Sequence, residues 1–463
     1  MKYLVFSGMF ILLISTSMAQ THLKAPNKKL PVGVFDSGTG GLTVLEAMLT
    51  LDMFNNETGK PGADGKPDFQ SEFYQYLADQ ANMPYGNYAA EKKTDLLKEH
   101  IIKNMNFFLN TTYSVQTQNV FSNQQKQQVK MIVIACNTAT AYALPDIKKH
   151  VEDLGYNVPV IGVIDAGSKA ALQYQQKNIG TIGVFATAGT VASNGYPRTL
   201  KAMATQLGMK EPSIISQGGF GLAESIDRDW SFYVDTLTKA RNTYKGPSVK
   251  NLNYTIDTTL LNVYRFNKNR NELLCEYDNT GKCLDIQLNE PANYVRYHLV
   301  SLLEKMRNEH VQPAMNTLIL GCTHYPYMKD TIAKVLNELY NYQLNGEYRY
   351  RAFLAEHVEL IDPSVETAKE AYIALRKNDL LNNAAKEGNH FFITIPNTSL
   401  KETQLQPDGW FTYEYKYGRV AGANKDYVQF VPFNTKNIST ATYNRFKVAL
   451  PHVYGEIVKT IKL

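Results

Sequence analysis

One pattern occurs twice in this chain and narrows what it can fold into. Met131 to Pro145 reads MIVIACNTATAYALP, and Leu318 to Pro326 answers it with LILGCTHYP. In each, an apolar run with the length and bounds of a buried strand ends on a cysteine, followed at once by Asn-Thr or Thr-His. Asn137 and Thr138 are helix-capping residues and Ala139 to Leu144 opens a helix well, so Cys136 is expected at or just before a helix N-terminus. That position favours a thiolate. Open α/β sheets bind ligands at the carboxyl ends of their strands, so two such strands from different halves would bring Cys136 and Cys322 to opposite sides of one small ligand. Two thiols facing one carbon suggest removal and return of a proton. A single cysteine after an apolar run is most simply a buried small hydrophobe. That accounts for burial, but not for polar, cap-forming residues following both times.

Length and composition set the frame. The 463 residues exceed one small core and allow two to three domains. Hydrophobic residues make up 44% and charged residues 20%, as in a packed globular chain. A balance of 48 basic to 43 acidic residues, without a long Lys/Arg run, gives a nucleic-acid role little support. Lys2, the apolar Tyr3 to Ile14 and Ser17-Met18-Ala19 together read as a signal peptide cleaved before Gln20, so an exported, periplasmic or secreted protein is expected. No later run reaches the ~20 apolar residues of a spanning helix, so no stable membrane span is expected after processing. The four cysteines exclude a disulfide-rich scaffold. Two of them, Cys275 and Cys283, flank a hairpin-like turn at Asn279-Thr280-Gly281, across which a bridge is open.

Taken in order, Leu30 to Phe35 reads as a strand that ends in Asp36-Ser37-Gly38-Thr39-Gly40-Gly41 before the helical LTVLEAML. Strand, glycine loop and helix form the layout of an anion-binding nest for a substrate carboxylate. The loop lacks a Walker lysine and does not match G-x-G-x-x-G, so no nucleotide site is read. Asn55 to Asp68 is a Gly/Pro/Asp-rich surface insertion. The turn Pro84-Tyr85-Gly86 presents backbone to a ligand or is an ordinary turn, and polar Asn110 to Gln128 reads as a surface loop or helix extension. A strand Val158 to Ile164 follows the Cys136 unit. A second series runs from TIGVFAT, through Thr187 and Thr190, to QGGFGLAES, where Glu224 sits beside glycines. From 227 to 293, aromatic and β-branched runs such as NYTIDTTLLNVYRF read as a β-rich insertion, and Phe391 to Phe433 is again β-like. The expected organisation is a signal peptide at 1–19, a first α/β domain at 30–170 and a second at 171–385 that carries the insertion. An extension at 386–463 would return in part to the first domain. The fold class is α/β: two similar doubly wound parallel-sheet halves with the active site between them, plus β-rich insertion and tail.

Together these segments resemble glutamate racemase, of the cofactor-independent aspartate/glutamate racemase superfamily. The resemblance rests on GVFDSGTGGLTVL (33 to 45), ADQANMPYG (78 to 86), IACNTATAYAL (134 to 144), VIGVIDAG (160 to 167), IGVFATAGTVASNGY (182 to 196), LILGCTHYP (318 to 326) and IDPSVETA (361 to 368). It implies that Cys136 and Cys322 are the acid/base pair, with Asp36 supporting the first thiol and His324 the second. It further implies that Ser37, Tyr85, Gly86, Asn137, Thr138 and Thr323 bind the amino acid, with Pro84 in the same turn and Thr187 in a matching T-x-x-T turn. Glu224 is the best match to a further acid, across an apparent one-residue gap. The reaction implied is L-glutamate to D-glutamate without cofactor or metal, in the service of peptidoglycan synthesis. Its only expected partner is the small-molecule amino acid, with a homodimer allowed. Aspartate or another amino acid as substrate, or a non-catalytic exported binding protein, stand as alternatives. The chain departs from the family in its signal peptide, its insertion, its aromatic tail and Asp165-Ala166-Gly167 in place of a Glu-Pro-Gly-like segment.

Overall fold

The computed structural model describes residues 26–461 apart from 118–119, 270, 384–387 and 424, so the leader expected at 1–19 lies outside the described residues. In chain order the elements that build the two sheets and their flanks are β1 (Val32–Asp36), α1 (Leu42–Thr50), β2 (Tyr74–Ala78), β3 (Met131–Ile134), α2 (Asn137–Asp153), β4 (Val160–Gly162) and α3 (Val163–Gln175). They continue with β5 (Thr181–Ala186), β6 (Ile214–Gly218), β7 (Met315–Gly321), β8 (Leu354–Ile361) and α4 (Pro363–Lys377). The tail adds β9 (His390–Pro396), β10 (Val428–Pro432), α5 (Thr440–Ala449) and α6 (Pro451–Thr460).

The strand orders explain where a site can form. The first sheet runs β10-β9-β2-β1-β3-β4 and the second β8-β7-β5-β6. Within each half the four native strands follow the same order: second, first, third, fourth, all parallel. In this order the chain winds one way from the first strand to the second and the other way from the third to the fourth. A crevice therefore opens between first and third strands at their carboxyl ends. Cys136 follows β3 and Cys322 follows β7, so each thiol stands at its own sheet's switch point.

Burial on both faces accounts for the apolar runs. Val32 and Val34 of β1 and Met131 and Val133 of β3 pack into one layer, while Phe35, Ile132 and Ile134 pack into the layer on the other face. The second sheet repeats this, with Ile182, Val184 and Ile319 on one side and Phe185, Leu318 and Leu320 on the other.

Several elements differ from the sequence reading. Thr112–Thr117 and Val120–Gln125 form an antiparallel hairpin, not a loop or helix extension, because Tyr113 and Val115 alternate with Thr112 and Ser114 in a β-favouring run. The strand expected over 158–164 is only Val160–Gly162, and the helix starts at Val163. Inside the insertion, the run expected to be β holds a short helix at Leu261–Tyr264, and among the described residues the strands are Leu273–Tyr277 paired with Cys283–Leu288, with isolated bridges at Ser248. Cys275 and Cys283 are bridged across that hairpin. In the tail, β9 pairs parallel with β2, and β10 pairs antiparallel with β9. Among the described residues no helix is long and apolar enough to cross a membrane.

Candidate active site

Cys136 is itself the N-cap of α2, its sulfur accepting from the Ala139 N–H at 3.4 Å. Its thiol reaches Ser37 Oγ at 3.5 Å. Asp36, at the end of β1, accepts the Gly41 N–H at 2.7 Å and counts Cys136 among its hydrogen-bond partners. The tight loop requires glycine at position 41: a Cβ there would stand 2.5 Å from Asp36 Cβ and 2.9 Å from Ala135 Cβ. Burial pushes the Asp36 carboxyl up against the pull of the Gly41 and Ser37 N–H groups. The Cys136 thiol is pushed up to about 12 by burial first and the Asp36 carboxylate second, which outweigh the helix N-terminus. The expectation that capping alone favours a thiolate at Cys136 is thus reversed by the site's dryness.

The second thiol has a different neighbourhood. His324 Nδ1 lies 3.8 Å from Cys322 Sγ, and its Nε2 lies 3.0 Å from Asp227 Oδ2. Burial alone would lower the His324 pKa, but the Asp227 carboxylate prevails and holds it well above the ordinary histidine value. The acid paired with His324 is therefore Asp227, which the sequence reading missed. Glu224, one helical turn earlier on the short helix Leu222–Ile226, faces the same cavity with its pKa raised by burial. The i, i+3 spacing of the two acids was the available signal.

A cavity of about 640 Å³ joins the two neighbourhoods. Asp36, Ser37, Cys136, Asn137, Thr138 and the turn Pro84-Tyr85-Gly86 line it from the first half, and Thr187, Glu224, Cys322, Thr323 and His324 from the second. Every residue singled out from sequence thus borders one space. The halves also touch there, since a Cβ on Gly40 would collide with Thr323 and His324. Not every side chain points its polar end inward. Tyr85 is buried and its hydroxyl donates to Asp79 Oδ2 at 2.5 Å, while Thr187 Oγ1 caps its own turn by accepting from the Thr190 N–H at 3.2 Å. Asn137 Oδ1 accepts from Tyr196 at 2.9 Å. Tyr254, delivered by the insertion, adds an aromatic wall stacked on Phe220 at 4.1 Å between ring centroids.

Two like parallel sheets each send a thiol from the end of the third strand into one shared cavity, and comparison by sequence makes this α/β protein an amino-acid racemase, an isomerase. The family model for Asp/Glu/Hydantoin racemase matches residues 111–229. A glutamate racemase of Levilactobacillus brevis is 26% identical over 81% of this chain and 88% of its own length. One from Fusobacterium nucleatum is 25% identical over 80% of this chain and 91% of its own. A crystal structure of a glutamate racemase isoform from Bacillus anthracis aligns at 22% identity with a TM-score of 0.46, covering 79% of this chain and 89% of that one. The glutamate racemase-like character read from the motifs is borne out.

Proposed function

We propose that the protein interconverts L- and D-glutamate by a two-base mechanism in which Cys136 and Cys322 act on opposite faces of the α-carbon. The observation that carries this reading is the pairing of two buried free thiols around one cavity, each with its own distinct acid/base neighbour. An amino acid's α-proton is only weakly acidic, so its removal needs a positioned base together with donors for the charge that develops on the carboxylate. Residues at the N-terminus of α2 and in the Asp36 to Gly41 loop supply the polar wall for that charge.

The unequal surroundings set the resting proton inventory. Burial and the Asp36 carboxylate push the Cys136 thiol up to about 12, so it carries its proton at neutral pH. Cys322 works beside the His324 imidazolium, which Asp227 keeps protonated. The α-proton of one enantiomer moves to the Cys322 sulfur while the Cys136 thiol returns a proton to the other face. This turnover leaves the two sulfurs in exchanged protonation states. The opposite enantiomer meets that second form and restores the first. The leader signals of residues 1–19 support action outside the cytoplasm, in supply of D-glutamate for the cell wall.

The test is proton NMR of the purified protein with L-glutamate, and separately L-aspartate, in D₂O under reducing conditions, with a chiral assay alongside. Loss of the α-proton signal with appearance of D-glutamate, abolished in Cys136→Ala and in Cys322→Ala, is the expected result. Exchange of aspartate alone would move the substrate assignment. Binding without exchange of either would defeat the racemase reading.

A further inference from the structure

We propose that Arg445, carried by the tail helix α5, is a positioning residue for the second thiol, acting through Asp227 and His324. The inference rests on the two-thiol racemase reading and adds to it a contribution from the tail. Three contacts in series make the connection: Cys322 Sγ to His324 Nδ1 at 3.8 Å, His324 Nε2 to Asp227 Oδ2 at 3.0 Å, and Asp227 Oδ1 to the Arg445 guanidinium. One carboxylate thus spans two cations, and its orientation fixes the imidazole plane that faces the sulfur.

The position of Asp227 makes such a brace necessary. It is the C-cap of the five-residue helix Leu222–Ile226, an exposed place where an unpaired aspartate samples several rotamers. Arg445 removes that freedom, and its own placement is set by the first half of the molecule. Tyr443 and Phe446 of α5 are buried in the same layer as Val32 and Val34 of β1. Glu46 of α1 accepts from the backbone N–H groups of His452 and Val453 at 3.2 and 2.8 Å, which anchors the start of α6. The tail therefore ties α1 of one half to the acid behind the thiol of the other.

Magnitudes separate this role from a merely stabilising one. The side chains of Asp227 and Arg445 are 37% and 28% exposed, so as a surface ion pair the contact contributes little to folding. As a constraint on a group next to the reacting sulfur it acts on the rate.

The experiment uses the full protein and α-deuterated L- and D-glutamate. Because the equilibrium constant of a racemisation is unity, kcat/KM must fall equally in both directions, and the directional information lies in the primary isotope effects. For Arg445→Gln we expect kcat/KM to fall about tenfold, the size of one coupled contact. The isotope effect should rise for the enantiomer that gives its proton to Cys322 and fall for the other. Arg445→Lys should restore most of the rate, and Asp227→Asn should reproduce the isotope signature with no further loss in the double variant. Wild-type isotope effects in both directions for Arg445→Gln, whatever its rate, would overturn the proposal while leaving the racemase reading intact. Absence of exchange by the wild-type protein would remove both.

Discussion

Gly86 and Gly189 meet backbone to backbone where the two halves face each other. A Cβ added at Gly189 would stand 2.9 Å from the Gly86 Cα, closer than a real Cβ approaches another carbon. One glycine belongs to the turn Pro84-Tyr85-Gly86 and the other to the Thr187 to Thr190 turn, and both turns line the cavity. Their approach sets the spacing of two walls that a small substrate must touch at once.

Gly189→Ala therefore pushes the halves apart without emptying any core. We expect loss of roughly a hundredfold in kcat/KM, as for a displacement of about 1 Å at a reacting centre. The thermal midpoint should change little. Steady-state kinetics together with a melt check this, and unchanged kinetics would show that the halves are not held at this point.

Tyr85 lines the cavity but spends its hydroxyl elsewhere. Buried Asp79 takes hydrogen bonds from Tyr85 at 2.5 Å, Asn104 at 3.0 Å and Thr394 at 2.7 Å, the last reaching in from the tail strand β9. Tyr85→Phe should therefore leave KM for substrate nearly unchanged and cost stability of ~1 to 3 kcal/mol, the penalty for a buried acceptor that loses a partner. Chemical denaturation measures the cost. A large KM effect with unaltered stability would mean that the hydroxyl swings to the ligand.

Much of this site was legible because it follows local grammar. Cys136 and Cys322 each sit where an apolar run stops and capping residues begin, and Asp36 where a strand meets a glycine loop. Position 227 was harder, since its only signal was the i, i+3 spacing from Glu224, and a C-cap aspartate on a short helix is commonplace. Arg445 was not legible at all: its partner lies in another half and only packing of Tyr443 and Phe446 brings it there. The same holds for β9, whose pairing with β2 depends on which sheet edge is open, and for the short helix Leu261–Tyr264, where tertiary packing overrode β-branched residues.

Lys130 and Glu72 form a fully buried ion pair at 2.6 Å, at the end of the first sheet opposite the thiols. Removing one charge strands the other in the interior, so Lys130→Met should cost about 3 to 5 kcal/mol. Pairing it with Glu72→Leu should recover most of that loss. Because the pair lies away from the cavity, kcat of the folded fraction should stay at the wild-type level. Loss of kcat without loss of stability would contradict this placement.

The His324 and Asp227 pair links stability to pH with a definite sign. The folded-state pKa of His324 is raised, so its protonated form is the one that folding favours. The pair's contribution is full below the unfolded histidine value of about 6.5 and fades as pH rises through the higher folded value. The gap in thermal midpoint between wild type and Asp227→Asn should therefore be widest near pH 6 and shrink at alkaline pH. A gap that widens with pH would show that the imidazole is neutral when folded.

The Cys136 thiol offers a direct reading of the electrostatics on the other face. Burial and the Asp36 carboxylate hold it up at about 12, so in Cys322→Ala the alkylation of Cys136 by iodoacetamide should be slow at neutral pH and climb steadily with pH. Asp36→Asn removes the nearby negative charge and leaves the burial. The alkylation profile should then move to lower pH and the neutral-pH rate should rise. On the two-base reading racemisation should fall in the same variant, because without the Asp36 charge the Cys136 sulfur is a weaker base for the enantiomer whose α-proton it takes. If the profile does not move, the neighbouring charge has no hold on the thiol and burial alone sets its protonation. In that case Asp36 serves only to close the loop through the Gly41 N–H.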